Sequence, residues 1–234
     1  MRFPNADRRD TLEAVIVNTA GGMTGGDRFD IDIVVGTGAG LTVTTAAAEK
    51  IYRSLAPDTE IAVKLQVGSD GRLAWLPQET ILFNQVRLQR SIDVELARGA
   101  QVLLAEAIVF GRAAMGETVR AGHLTDRWRV KVDGALVFAE TIRLNGAIAD
   151  KMARPVIAAN GAAIASILKI PGTDEDVEEV RGLATTFRGE VAASAWNGHA
   201  VVRLMARDGA ALRHDLMAVL PVLNARPLPR LWLN

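Results

Sequence analysis

Short segments in which apolar and polar residues alternate recur roughly every ten residues through most of this 234-residue chain. The clearest is Val86–Leu96, VRLQRSIDVEL, in which one parity is apolar at every position except Arg90. A period of two is the signature of a strand with one buried face. Helical spacing is confined to the C-terminal third, over residues 174–181 and 212–223. The pattern therefore predicts a mainly β fold of stacked sheets with about two helices near the C-terminus.

Domain organisation and composition limit the classes of function that the chain can have. No linker, low-complexity tract or strict repeat interrupts residues 1–234, which predicts one domain. The chain has 27 basic and 27 acidic residues, so nothing in its charge favours nucleic acid or an anionic membrane as a partner. It has no cysteine, no apolar run that could span a bilayer and no signal sequence. We therefore expect a cytoplasmic protein.

A glycine-rich segment at residues 18–28, NTAGGMTGGDR, lies between two predicted strands. Its simplest interpretation is a tight turn between paired strands. The segment does not match a phosphate-binding loop, because no Gly-Lys-Ser/Thr follows and a strand stands where a helix N-terminus would have to supply amides. Asp27 ends the segment, next to small residues where a ligand can approach.

Two glutamates occur at strand positions where the pattern predicts burial. Glu106 lies in AQVLLAEAIVF, which is apolar on both faces, and Glu140 shares its parity with Leu136, Phe138 and other apolar residues. An ionised carboxylate in a dry core costs several kcal/mol unless it is paired, protonated, or in contact with water or a cation. Both residues therefore need a partner.

Three interpretations of these acids remain open. In the first they form buried ion pairs, for which Arg90 is an available partner. In the second they line an internal polar passage or a site for a hard cation, together with Asp27 and Glu49. In the third, one of them is the general base of a small-molecule enzyme. The three histidines have no partner at metal-ligand spacing, and we expect them at the surface.

Five motifs in order give the chain a family resemblance. They are residues 18–28 (NTAGGMTGGDR), 44–54 (TTAAAEKIYRS), 75–83 (WLPQETILF), 110–117 (FGRAAMGE) and 228–233 (LPRLWL). With these motifs the chain resembles the family of the urease accessory protein UreD, called UreH in some organisms. Family members carry a further strand or two before the element seen here at residues 2–4, so the resemblance implies a chain shortened at its N-terminus.

The resemblance implies a scaffold and no catalysed reaction. The family fold is a β-superhelix with a pair of C-terminal helices. Family members bind apo-urease on one side and UreF on the other, and UreF in turn holds the GTPase UreG. The resemblance implies no tightly bound cofactor, only Ni²⁺ in transit to the urease active site through a water-filled tunnel.

The resemblance gives the acids at predicted buried positions a role, which is to line this nickel passage. Weakly held oxygen ligands suit an ion that has to be released, whereas thiolates would retain it. The predicted residues are Asp27, Glu49, Glu106 and Glu140, with Glu79 and Glu117 as lesser candidates. Asp27 matches the family's Gly-Gly-Asp motif, and the other three follow from their positions. The alternatives are a small-molecule enzyme with a buried carboxylate as general base, or a purely structural adaptor.

Overall fold

The computed structural model describes residues 1–4, 12–112, 115–224 and 226–233. Within these ranges the strands are β1 Leu12–Ile16, β2 Arg28–Val35, β3 Gly40–Thr45, β4 Glu49–Ile51, β5 Thr59–Val67, β6 Arg72–Trp75, β7 Thr80–Leu82, β8 Val86–Leu96, β9 Gln101–Phe110, β10 Gly122–Val132, β11 Ala135–Gly146, β12 Ala163–Ile170, β13 Glu190–Trp196 and β14 His199–Ala206. The helices are α1 Ile148–Met152, α2 Asp174–Gly182 and α3 Gly209–Leu223. The predicted mainly β fold is confirmed, and α2 and α3 are the two predicted helices.

The chain coils between two sheets. A five-stranded sheet has the order β11-β10-β8-β5-β2, and a nine-stranded sheet has the order β1-β3-β6-β9-β12-β14-β13, with β4 and β7 beside β9. From β2 the chain passes to β3 and β4 in the nine-stranded sheet, returns to β5, and repeats the circuit through β6 and β7 and through β8 and β9. Successive strands within each sheet are parallel over these three turns. The superhelix implied by the resemblance is therefore confirmed.

The glycine-rich segment at residues 18–28 crosses between the sheets. The prediction of a tight turn between paired strands is wrong, because β1 pairs with β3 and β2 pairs with β5. A Cβ on Gly25 would lie 1.9 Å from Ser54 Oγ, and one on Gly22 would lie 2.5 Å from Tyr52 Cε2. The glycines therefore let this segment pack directly against the chain that follows β4.

Other local predictions are confirmed. Pro77 lies at the corner between β6 and β7, where no strand pairing needs its missing N–H. Asp133-Gly134 turns β10 into β11 with φ values of 48° and 80°, and Asn197-Gly198 turns β13 into β14 with 48° and 78°. Positive φ at both central residues is the geometry of the tight hairpin turns that these dipeptides favour.

Two apolar layers hold the fold together. One lies between the sheets, and the second lies between the nine-stranded sheet and the helices α2 and α3. The motif at residues 228–233 closes the second layer, where the Trp232 indole N–H donates to the Leu76 carbonyl at 3.0 Å. Arg213 of α3 donates to Gln78 Oε1 at 2.7 Å and to the Trp232 carbonyl at 2.9 Å. Among the described residues, no helix is long and apolar enough to cross a membrane.

Candidate functional site

Glu106 lies inside the layer between the sheets and is part of a charged cluster. Its Oε2 accepts from Arg90 Nη1 at 2.5 Å, and its Oε1 accepts from the Trp75 indole N–H at 2.7 Å. Arg90 also donates to both oxygens of Asp126, at 3.0 and 2.7 Å, and to the Thr80 hydroxyl at 3.1 Å. The predicted burial of Glu106 is therefore confirmed, and Arg90 is its ion-pair partner.

The cluster of Arg90, Glu106 and Asp126 has one more carboxylate than guanidinium. The side chains of the three residues are at most 5% exposed, so water screens the excess negative charge poorly. Burial raises the pKa of Glu106, the Arg90 charge opposes this rise, and the Asp126 charge adds to it. Burial by itself would lower the pKa of Arg90, but the two carboxylates raise it above its ordinary value. Arg90 therefore stays charged, and the raised pKa of Glu106 lets its carboxyl take up a proton more readily than an exposed glutamate does.

Glu49, at the start of β4, is half-buried beside a small cavity. The Asn18 side-chain amide donates to Glu49 Oε1 at 2.9 Å, so the motifs at residues 18–28 and 44–54 meet at this carboxylate. Burial raises the pKa of Glu49, while the hydrogen bond from Asn18 opposes the rise. The cavity, of about 50 Å³, lies between the sheets, and its polar lining includes Glu49, Thr80, Arg90 and Glu106. Glu49 and Glu106 therefore face the same internal space.

Glu140 of β11 forms an ion pair across the sheets with Arg203 of β14. The Glu140 side chain is 13% exposed and the Arg203 side chain is 51% exposed. Arg203 Nη1 also lies 3.3 Å from the Ser166 hydroxyl, whereas Glu140 Oε2 is buried and has no hydrogen-bond partner among the described residues. Ser166 of β12 stands between Glu106 and Arg203 in the strand register.

Together these residues form a line of polar side chains through the layer between the sheets, which we call the interior polar line. Its members, in order from β4 to β11, are Glu49, Thr80, Arg90, Glu106, Asp126, Ser166, Arg203 and Glu140. Four carboxylates face two guanidinium groups along it, which leaves two negative charges uncompensated when all four acids are ionised. The line therefore favours a cation.

The structure places Asp27, Glu79 and Glu117 outside this line. Asp27 is exposed, and its Oδ2 accepts from the backbone N–H of Thr24 at 2.8 Å within the glycine-rich loop. Glu79 pairs with Arg213 at 3.1 Å. Glu117 pairs with Arg112 at 2.6 Å. The structure brings Glu49 and Glu106 together and relates Glu140 to them through Ser166 and Arg203. It places Asp27, Glu79 and Glu117 elsewhere.

The expectation of surface histidines is wrong for His199. This residue is 2% exposed, and its ring makes edge contacts with Trp196 at 4.4 Å and Phe138 at 5.6 Å between centroids. Its burial at the start of β14 lowers its pKa. His123 is exposed and the His214 side chain is 37% exposed, so both lie at the surface as expected. Among the described residues, no group of three histidine, aspartate or glutamate side chains could hold a metal ion.

Sequence reasoning missed six members or neighbours of the interior polar line: Asn18, Trp75, Thr80, Asp126, Ser166 and Arg203. Asp126 had a readable signal, because Leu124, Trp128 and Val130 share its parity in β10 and are buried. The same test that singled out Glu106 would have found it. Arg203 had one too, because Val201 and Met205 share its parity in β14 and are apolar. The others depend on pairing between distant strands, which leaves no local pattern.

Comparison with known proteins places the chain in a family. It matches the model described as UreD urease accessory protein over residues 1–233. It is 55% identical to the urease accessory protein UreD of Rhodopseudomonas palustris (strain BisB5), over the whole of this chain and 82% of the relative. It is 51% identical to the urease accessory protein UreD of Bradyrhizobium diazoefficiens, over the whole of this chain and 84% of the relative. The chain belongs to the UreD family of urease accessory proteins.

Proposed function

We propose that this chain is a scaffold for urease maturation that passes nickel to the urease active site along the interior polar line. In this proposal it binds apo-urease and the complex of UreF with the GTPase UreG, in the cytoplasm, and catalyses no reaction itself. Nickel is its cargo and not a resident cofactor. Membership of the UreD family supports the role in urease maturation. The observation that carries the route is the cavity that Glu49 and Glu106 share. From Glu106 the line continues through Ser166, its partner in the strand register, to Arg203 and Glu140.

The chemistry of the line suits a divalent ion in transit. Carboxylate and hydroxyl oxygens bind such ions more weakly than thiolates or imidazoles do, so the ion can leave. The cavity of about 50 Å³ has room for water, which such an ion needs as additional ligands. Because burial raises the pKa of Glu106, this carboxyl can exchange a proton for the ion and avoid standing as an uncompensated charge. Glu49, half-buried and oriented by Asn18, would receive the ion first.

The enzyme alternative has weaker support. Small-molecule sites commonly measure about 300–1,000 Å³, and the cavity beside Glu49 and Glu106 is far smaller. A groove of about 370 Å³ lies near the N-terminus of α2, but none of the predicted acids line it. Its buried carboxylate, Asp176, is already bound to Lys169 at 2.5 Å and to the backbone N–H of Thr173 at 2.9 Å.

A structural adaptor is the second candidate, and one observation favours it. Both deeply placed glutamates have an arginine partner, Arg90 for Glu106 and Arg203 for Glu140. In that case the acids would only hold the two sheets together. The role of Asp27 in a nickel passage stays a prediction, because its carboxylate lies on an exposed loop outside the interior polar line.

Urease activation at limiting nickel separates the two candidates. We expect the triple variant Glu49→Gln, Glu106→Gln, Glu140→Gln to assemble with UreF, UreG and apo-urease but to activate urease about tenfold less, the effect of losing roughly 1.4 kcal/mol of cation stabilisation. The matched control is Glu60→Gln, because Glu60 lies on the outer face of β5 and pairs with exposed Arg28. Asp27→Asn, measured alongside, tests the glycine-rich loop. If the triple variant activates urease as well as the control does, the acids do not carry nickel. If it instead fails to assemble with UreF, UreG and apo-urease, the acids are structural, as the adaptor requires.

A further inference from the structure

The two arginines of the interior polar line are held very differently. Arg90 is 3% exposed and donates to Glu106, Asp126 and Thr80. Arg203 is 51% exposed, and its contacts with Glu140 and Ser166 come from a single nitrogen, Nη1. A buried guanidinium with several partners is fixed, whereas an ion pair whose guanidinium is half-exposed exchanges readily.

We propose that Arg203 is an exchangeable counter-cation of Glu140, which an ion in transit displaces and which returns when the ion leaves. This inference rests on the proposed function, since it concerns the residue that regulates the same passage. In this proposal Arg203 does not bind the ion itself. It competes with the ion for the Glu140 carboxylate.

The surroundings of Arg203 leave space for its guanidinium to move. In the strand register Arg203 stands between Ser166 of β12 and Ala192 of β13, both small residues. Ala192 and its neighbour on the same face, Ser194, are exposed, so the five-stranded sheet does not cover this part of β13. The guanidinium can therefore leave Glu140 for solvent without disturbing the apolar layer.

The Glu140 carboxylate has capacity that Arg203 does not use. Its Oε2 is buried and has no hydrogen-bond partner among the described residues. A cation that replaces Arg203 can take both oxygens, which offsets the loss of the ion pair. When the cation moves on, Arg203 returns, so the mostly buried carboxylate is never left without a counter-charge. This competition keeps the residence of the ion at Glu140 short.

Nickel titration of the full chain, followed by the fluorescence of Trp128, tests the inference without urease. Trp128 stands opposite Glu140 in the β10–β11 pairing, so Ni²⁺ bound at Glu140 lies close enough to quench it. The Trp128 signal is the difference in fluorescence between a protein and the same protein carrying Trp128→Phe. We expect Arg203→Met to bind Ni²⁺ about fivefold more tightly, because the competing ion pair is gone.

The controls separate competition for the Glu140 carboxylate from an effect of the total positive charge on the nickel affinity. Arg203→Lys keeps the positive charge, and its affinity should stay within about twofold of the wild type. Arg207→Met removes a nearby exposed arginine that pairs with Asp208, and it should leave the affinity unchanged. Glu140→Gln should abolish the Trp128 signal. Arg203→Gln serves as a second neutral variant, and far-UV circular dichroism confirms that each variant is folded.

The outcomes distinguish this inference from the proposed function. If both neutral variants of Arg203 fold and bind Ni²⁺ no more tightly than the wild type, while Glu140→Gln still abolishes quenching, Arg203 does not compete and the passage stands. If Glu140→Gln leaves the Trp128 quenching unchanged, nickel does not visit Glu140, and both the counter-cation and this part of the passage are overturned.

Discussion

Replacing Arg90 with methionine is expected to lower the free energy of unfolding by about 3–5 kcal/mol. The substitution keeps an unbranched apolar stem but removes the guanidinium, and it leaves Glu106 and Asp126 in the layer between the sheets without a counter-charge. A buried carboxylate without a partner loses its hydration and gains nothing in return. Denaturant unfolding of the full chain measures the effect.

The control for Arg90 is Arg127→Met, on the outer face of β10. Arg127 is 42% exposed and pairs with Asp93, so its loss should cost at most about 1 kcal/mol. The pH dependence gives a second check. The pKa of Glu106 is raised above its ordinary value of 4.5, so its stabilising contribution is complete at low pH and is lost as the pH rises. Arg90 opposes this rise, so its removal raises the pKa of Glu106 further, and the deficit of Arg90→Met should shrink as the pH falls and Glu106 becomes protonated. A deficit equal to that of Arg127→Met would show that the cluster is not buried as described.

Replacing Trp232 with alanine is expected to cost about 3–5 kcal/mol, although the residue lies two positions from the end of the chain. Terminal residues usually contribute little, but Trp232 is only 2% exposed. Its N–H satisfies the Leu76 carbonyl at 3.0 Å, and the Arg213 guanidinium lies 5.2 Å from its ring centroid. Thermal or denaturant unfolding measures the loss.

Two variants show whether packing or the hydrogen bond dominates at Trp232. Trp232→Phe keeps most of the packing and removes the donor to Leu76, so we expect a cost of about 1–3 kcal/mol. Trp196→Ala removes a tryptophan that is 44% exposed at the β13–β14 turn, with an expected cost of about 1 kcal/mol. Equal losses for Trp232→Ala and Trp196→Ala would mean that the C-terminal motif does not close the second apolar layer.

The sequence predicts well those features that depend on local pattern. Alternation in Val86–Leu96 revealed both the strand and Arg90 as its out-of-phase residue, and the apolar neighbours of Glu106 revealed its burial. These predictions succeeded because the face that a strand residue occupies depends only on its parity. The pairing of Arg90 with Glu106 was one of three open interpretations, suggested by the position of both residues on faces predicted to be buried.

Features that depend on pairing between distant strands could not be predicted from local pattern. Glu140 meets Arg203 only because β11 and β14 face each other from different sheets, 63 residues apart. Glu49 lies in a three-residue strand, which is too short to show alternation. The glycine-rich segment looked like a hairpin because a parallel coil and an antiparallel hairpin give the same strand–glycine–strand pattern. Only the register of β1 with β3 and of β2 with β5 separates them.

Anomalous diffraction at the nickel absorption edge, from crystals of the chain soaked in Ni²⁺, tests the interior route most directly. We predict nickel peaks between the two sheets, within coordination distance of the carboxylate oxygens of Glu49, Glu106 or Glu140. Crystals of the triple glutamine variant, soaked in the same way, should lose these peaks. Nickel found only at surface groups such as His123 and His214, with the interior polar line free of metal, would contradict the route.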